Sequence, residues 1–152
     1  MPEADGHDVD VVPAAVFVYG TLRPGRANWA VAEAYCARHE PATLPGFGLY
    51  ALDYPVVVEL PRTGREPGAS EGGVHGDLLW LRPGRSGAAL ARLDAFEGVD
   101  HHRPDRSYYE RVCTAVTTRA GDRPLAWVYV PGADLRARVD PARRVAGDDW
   151  PP

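Results

Sequence analysis

Cysteine is nearly missing from this chain of 152 residues: there are two, Cys36 and Cys113. They stand far apart, without CxxC spacing and without histidine at zinc-ligand intervals. Neither a zinc site nor a disulfide framework organises the chain, and both thiols are expected reduced in the core. Long apolar runs are absent too, since no stretch approaches the length of a membrane span. The N-terminus carries Glu3, Asp5, Asp8 and Asp10 in place of the basic start of a signal peptide, and its apolar run is broken by Pro13. A cytoplasmic location is therefore expected. No charge sign dominates: 17 basic against 21 acidic residues leave a formal charge of -4. That balance argues against nucleic-acid and anionic-membrane partners.

Phosphate- and metal-binding signatures are missing as well. No Gly-Lys-Ser/Thr follows Gly25, and GxGxxG does not occur. His101 and His102 are adjacent in a charged loop, where two side chains rarely converge on one ion. Ser70, Ser86 and Ser107 lack the strand-turn-helix setting of a nucleophile elbow. No metal, nucleotide or other cofactor is expected.

What is present describes an ordinary globular chain, 45% hydrophobic and 25% charged. Residues 1–12 are expected to form a flexible arm and 13–152 a single domain. Val16-Phe17-Val18-Tyr19 has the composition of a buried strand that breaks at Gly20-Thr21-Leu22, and Pro24-Gly25 then turns the chain. Backbone N–H groups left at such a break require water, a turn or an anion. Asn28 is placed to cap a helix from Trp29 to about His39, with Trp29, Ala32 and Cys36 inward and Pro41 as its stop. Thr43 to Leu52 reads as a bent strand, and Pro55 to Leu60 as a buried one. Pro61 to Gly73 reads as a long hairpin loop. Val74 to Leu81 is a further strand, with Val74, Gly76, Leu78 and Trp80 on one face and His75 and Asp77 on the other. Tyr108–Thr118 and Pro124–Val130 form two more strands about a turn at Ala120-Gly121-Asp122. Pro131 to Pro152 reads as irregular. Strands and helices do not alternate, so the expectation is α+β with a curled or barrel-like sheet and not a doubly wound one.

The helix from Ser86 to Glu97, closed by Gly98, is the most informative element. Ala89, Leu90, Leu93 and Phe96 mark its apolar stripe, and Asp94 lies on the margin. Glu97 falls four residues after Leu93, within the stripe. Either its carboxylate is aimed inward, or it swings past Gly98 into solvent. In the first case burial and the negative end of the helix dipole both raise its pKa. Such a group can take and return a proton near neutral pH.

Several short motifs occur in an order that resembles one family. Val18-Tyr19-Gly20-Thr21-Leu22-Arg23 resembles the YGTL/YGSN signature of the γ-glutamylcyclotransferase-like (AIG2-like) proteins. Leu93-Asp94-Ala95-Phe96-Glu97-Gly98 resembles their LDxxEG segment, Tyr109-Glu110-Arg111 their YxR strand, and Ala126-Trp127-Val128-Tyr129-Val130 their late AxxYV strand. Val74-His75-Gly76-Asp77 and Gly147-Asp148-Asp149-Trp150 are also similar to family positions. The resemblance implies an α+β fold, a small mixed β-barrel with flanking helices and a cavity at one end, and an enzyme acting without cofactor. Glu97 would be the general acid/base converting a γ-glutamyl amine or amino acid to 5-oxoproline and a free amine. Tyr19, Gly20, Thr21 and Leu22 would hold the substrate, and Tyr109 and Tyr129 would shape the pocket. The partner implied is a small molecule, with the protein itself a monomer or homodimer. The competing expectation is a non-catalytic module that uses the same pocket to bind a small molecule or a protein.

Overall fold

In a computed structural model of the chain, residues 12–61 and 73–152 are described. The expected N-terminal arm and the loop after Pro61 lie outside them, apart from their ends. The strands in chain order are β1 (Ala15–Val18), β2 (Cys36–Leu44), β3 (Phe47–Ala51), β4 (Pro55–Glu59), β5 (Val74–Leu81), β6 (Tyr109–Ala115), β7 (Thr117–Thr118) and β8 (Leu125–Pro131). The helices are α1 (Trp29–Glu33), α2 (Ser86–Glu97) and α3 (Ala133–Ala137). Six strands form one curled sheet in the order β6-β8-β1-β5-β2-β7, a half-barrel, and β3-β4 form a separate hairpin. The sheet is mixed: β1 runs antiparallel to β5 and parallel to β8.

β1 is central because it is apolar on both faces. Val16 and Val18 pack with Ala89, Leu90 and Leu93 of α2 and Leu135 of α3. Ala15 and Phe17 point the other way, into a core shared with Leu44, Leu49, Val57, Leu78 and Val128. β4 is also buried on both sides, Val56 in the first core and Val57 in the second. A run of β-branched residues suits such a doubly covered strand. At Gly76 of β5 a Cβ would strike the Val18 carbonyl and the Phe17 ring. Only glycine lets β5 come that close to β1.

α2 spans the expected residues, and Gly98 closes it in the left-handed conformation at φ 74°. The expected α1 was longer than the one observed. It stops at Glu33, and Cys36 opens β2, whose Arg38, His39 and Glu40 pair with Trp80, Leu79 and Leu78. A ladder along β5 outweighs a three-residue apolar spacing as the determinant here. Pro41 does not stop a helix but sits within β2 opposite Asp77. There β7, which pairs only at Ala42 and Thr43, requires nothing of its missing N–H. The expected bent strand is two strands, divided at Pro45-Gly46, where Gly46 has φ 84°. Cys113 is exposed, not in the core. The C-terminal stretch is not irregular throughout: it contains α3 and two turns of 3-10 helix, Pro141–Arg143 and Ala146–Asp148.

That last stretch fastens the segment following β1. Arg23 Nε donates to Asp77 of β5 at 2.7 Å and Arg23 Nη1 to Asp149 at 3.0 Å. Arg26 donates to the carbonyls of Trp150 and Pro151 at 3.0 and 3.2 Å.

Candidate active site

The two cores meet at the C-terminal end of β1, and a cavity of about 440 Å³ opens there. Its size is that of a small-molecule site. Tyr19 to Leu22, Glu97, Tyr109 and Tyr129 all line it. Residues expected to act together, from distant parts of the sequence, therefore share one cavity.

The turn at Gly20 is built for close approach. A Cβ on Gly20 would lie 2.6 Å from the Pro55 ring, so any larger residue would push β4 away from the cavity. The turn closes on its own carbonyls: Arg23 N–H donates to Gly20 and Asn28 N–H to Thr21. These bonds leave the N–H groups of Gly20, Thr21 and Leu22 without a backbone acceptor among the described residues. Asn28 stands at the N-cap of α1 but does not cap it with its side chain. Its Nδ2 donates instead to Thr21 Oγ1 at 2.8 Å, which fixes the hydroxyl oxygen and leaves the Thr21 proton free to donate.

Glu97 is half-buried at the end of α2. Among the described residues no hydrogen bond or ion pair satisfies its carboxylate, and burial alone pushes its pKa up to about 7. The inward alternative for Glu97 is the one observed. Phe96, expected inside, is 38% exposed, whereas the marginal Asp94 is 5% exposed. The reason is charge pairing: Asp94 receives Arg111 Nε at 2.8 Å and Nη2 at 3.0 Å, and His101 Nε2 lies 3.0 Å away. Burial opposes the Asp94 charge, but the bonds from Arg111 and Tyr129 outweigh it and hold the pKa below the usual carboxylate range. One helix thus carries two carboxyls one turn apart with opposite shifts.

The three buried tyrosines of the cavity are tied down. Tyr19 donates to the Tyr129 carbonyl at 2.6 Å, Tyr129 to Asp94 Oδ1 at 2.7 Å, and Tyr109 to the Pro55 carbonyl at 2.7 Å. Burial first, and negative neighbours including Glu97 second, push all three phenols above their ordinary value. They remain protonated at any ordinary pH and serve as fixed dipoles rather than bases. Tyr108 also lines the cavity but is 61% exposed. Sequence reasoning missed Asn28, Tyr54, Asp94, Phe96 and Arg111 as parts of the site or its support. The alternation of β6 was the available signal for Arg111, because Tyr109 and Arg111 must share a face. No group of three or more His, Cys, Asp or Glu among the described residues could hold a metal, and none of the described helices is long and apolar enough to cross a membrane.

Comparison with known proteins places this geometry. Among solved structures, YkqA from Bacillus subtilis matches over 90% of this chain at 22% identity and a TM-score of 0.61. The chain spans 39% of that protein's length. An AIG2-like protein from Mus musculus matches over 91% of this chain and 95% of its own, at 22% identity and a TM-score of 0.56. An uncharacterized protein from Pyrococcus horikoshii matches at 17% identity and a TM-score of 0.53, over 90% of this chain and 88% of its own. These likenesses establish the fold. No curated protein matches the sequence. The family model described as gamma-glutamyl cyclotransferase, AIG2-like, matches residues 16–152. With nearly the whole chain covered and the half-barrel shared, the protein belongs to the γ-glutamyl cyclotransferase, AIG2-like family.

Proposed function

We propose that residues 13–152 act as one cytoplasmic enzyme domain that cyclises a γ-glutamyl compound to 5-oxoproline, with Glu97 as general acid/base. The observation that carries this reading is the unpaired Glu97 carboxyl, raised by burial to about pKa 7, in a cavity also lined by Gly20 to Leu22, whose N–H groups have no backbone acceptor among the described residues. The N–H groups of Gly20 to Leu22, with the Thr21 hydroxyl, suit the anionic head of the substrate. Tyr109 and Tyr129 fill the walls and exclude water. Glu97 as carboxylate removes a proton from the substrate's α-ammonium group, and its raised pKa narrows the gap between the two. The freed amine attacks the γ-carbonyl carbon and forms the C–N bond of a five-membered ring. As the old C–N bond breaks, Glu97 gives its proton to the departing nitrogen, then takes the second proton from the new ring nitrogen and passes it on, so the lactam is neutral, the amine leaves as an ammonium and Glu97 ends as the carboxylate. The attack is intramolecular, so correct placement of the bound chain supplies much of the rate.

Mass-spectrometric detection of 5-oxoproline over a panel of γ-glutamyl amines and amino acids tests this. Wild type is expected to release it, with kcat/KM rising with pH through about 7 as Glu97 ionises. Glu97→Gln is expected to lose the activity by at least ~100-fold, the scale of a general acid/base. Ligand-induced stabilisation without turnover across the panel would mark a binding module instead.

A further inference from the structure

Burial grades the cavity wall from floor to rim. Tyr19, Tyr109 and Tyr129 are buried, Tyr54 is intermediate, and Phe96 and Tyr108 are exposed. The rim is therefore aromatic, and it is held in place. The Tyr108 N–H donates to the Gly98 carbonyl at 2.9 Å, and its carbonyl accepts from Gly132 at 2.7 Å. Its side chain lies over Gly98 so closely that a Cβ there would be 3.1 Å away. Tyr54 packs on Tyr109 with ring centroids 6.2 Å apart. A large exposed aromatic on a backbone pinned at both sides is a built feature and not a loose surface side chain.

The same wall is almost without charge. Glu97 is the one acidic or basic side chain lining the cavity among the described residues. Of the cations near the cavity, Arg23 is paired with Asp77 and Asp149 and Arg111 with Asp94. A second carboxylate entering past the rim would meet aromatic faces and the Glu97 charge, with no cation among the described residues that line the cavity. An aromatic amine would bury its ring against Tyr54, Phe96 and Tyr108.

We infer that this rim selects γ-glutamyl derivatives of aromatic amines whose leaving group carries no carboxylate, with Tyr54, Phe96 and Tyr108 as the specificity-determining residues. The inference rests on the cyclotransferase reading for the head group and adds the identity of the departing half. γ-Glutamyl-2-phenylethylamide and γ-glutamyl-phenylalanine differ by one carboxylate, so they isolate the point. The amide is expected to have kcat/KM about tenfold higher or more. The corresponding glutaryl compounds lack the α-amine and cannot cyclise. Calorimetry with wild-type protein is expected to give the glutaryl amide a Kd about tenfold tighter than glutaryl-phenylalanine, a difference of about 1.4 kcal/mol. Phe96→Ala and Tyr108→Ala are expected to shrink the preference for the phenylethylamide over γ-glutamyl-methylamide. Equal Kd values, or a preference for the phenylalanine compound, would overturn the inference. Preferential binding without any 5-oxoproline from either substrate would support the rim's selectivity and overturn the cyclotransferase reading. Turnover of both with no preference would do the reverse.

Discussion

Two carboxyls on one helix show how far environment outweighs residue type. Glu97 is raised because nothing pairs it, and Asp94 is lowered because Arg111 and Tyr129 do. The Glu97 shift has a thermodynamic consequence with a definite sign. Its folded value of about 7 exceeds its ordinary 4.5, so folding disfavours the charged form. Below pH 4.5 wild type and Glu97→Gln should be equally stable. As pH rises through about 7 wild type loses stability, and the variant should be the more stable by about 1–3 kcal/mol at pH 8. Urea melts at pH 4 and pH 8 measure this; an unchanged gap would mean the carboxyl is solvated. Asp94→Asn should act in the opposite direction. It leaves the Arg111 guanidinium, largely buried over the Trp127 ring, without its counter-charge. A loss on the order of 2–3 kcal/mol is expected at pH 7. The gap should close in acid, as protonation removes the wild-type charge below its depressed pKa. The inward aim of Glu97 was legible in the spacing from Leu93. The burial of Asp94 was not, because its charge is met by a residue from another strand.

At the scale of elements, the sequence spoke clearly where a local signal was complete. α2 had an apolar stripe and a terminal glycine, and β5 alternated from Val74 to Leu78 before an apolar end, so both emerged with their expected bounds. α1 and β2 were misjudged because Trp29, Ala32 and Cys36 mimic a helical period over a segment whose fate is decided by pairing with β5. Periodicity reports a local preference, whereas a ladder is a long-range fact. The junction after α2 does more than end a helix. Gly98 lets the chain reverse at φ 74° and also clears the space in which Tyr108 lies. Gly98→Ala should therefore cost about 1–2 kcal/mol from backbone strain alone, a fall in Tm of roughly 3–6 °C. It should also displace Tyr108, which a change in tyrosine fluorescence together with calorimetric melting would register. A variant that melts like wild type would show that the left-handed turn is not required.

Over the whole molecule, a curled α+β sheet followed from the pattern of strands and helices, and its mixed strand directions from the family resemblance. The order of strands did not, since nothing local says that β1 lies between β5 and β8. That placement has a consequence for biosynthesis. β1 leaves the ribosome early, yet its parallel neighbour is β8; the Tyr19 hydroxyl meets the Tyr129 carbonyl across 110 positions of sequence. Until β8 emerges, one edge of an entirely apolar strand has no mate, and such an edge invites pairing with another chain. A nascent chain cut at Pro124 should therefore accumulate as aggregate, and restoring residues to Pro131 should return it to the soluble fraction. A soluble, protease-resistant product ending at Pro124 would show that β1 finds its place without β8. The strand that forms the floor of the cavity thus waits, open on one edge, until β8 emerges, and in that interval it presents the kind of surface that chaperones shield.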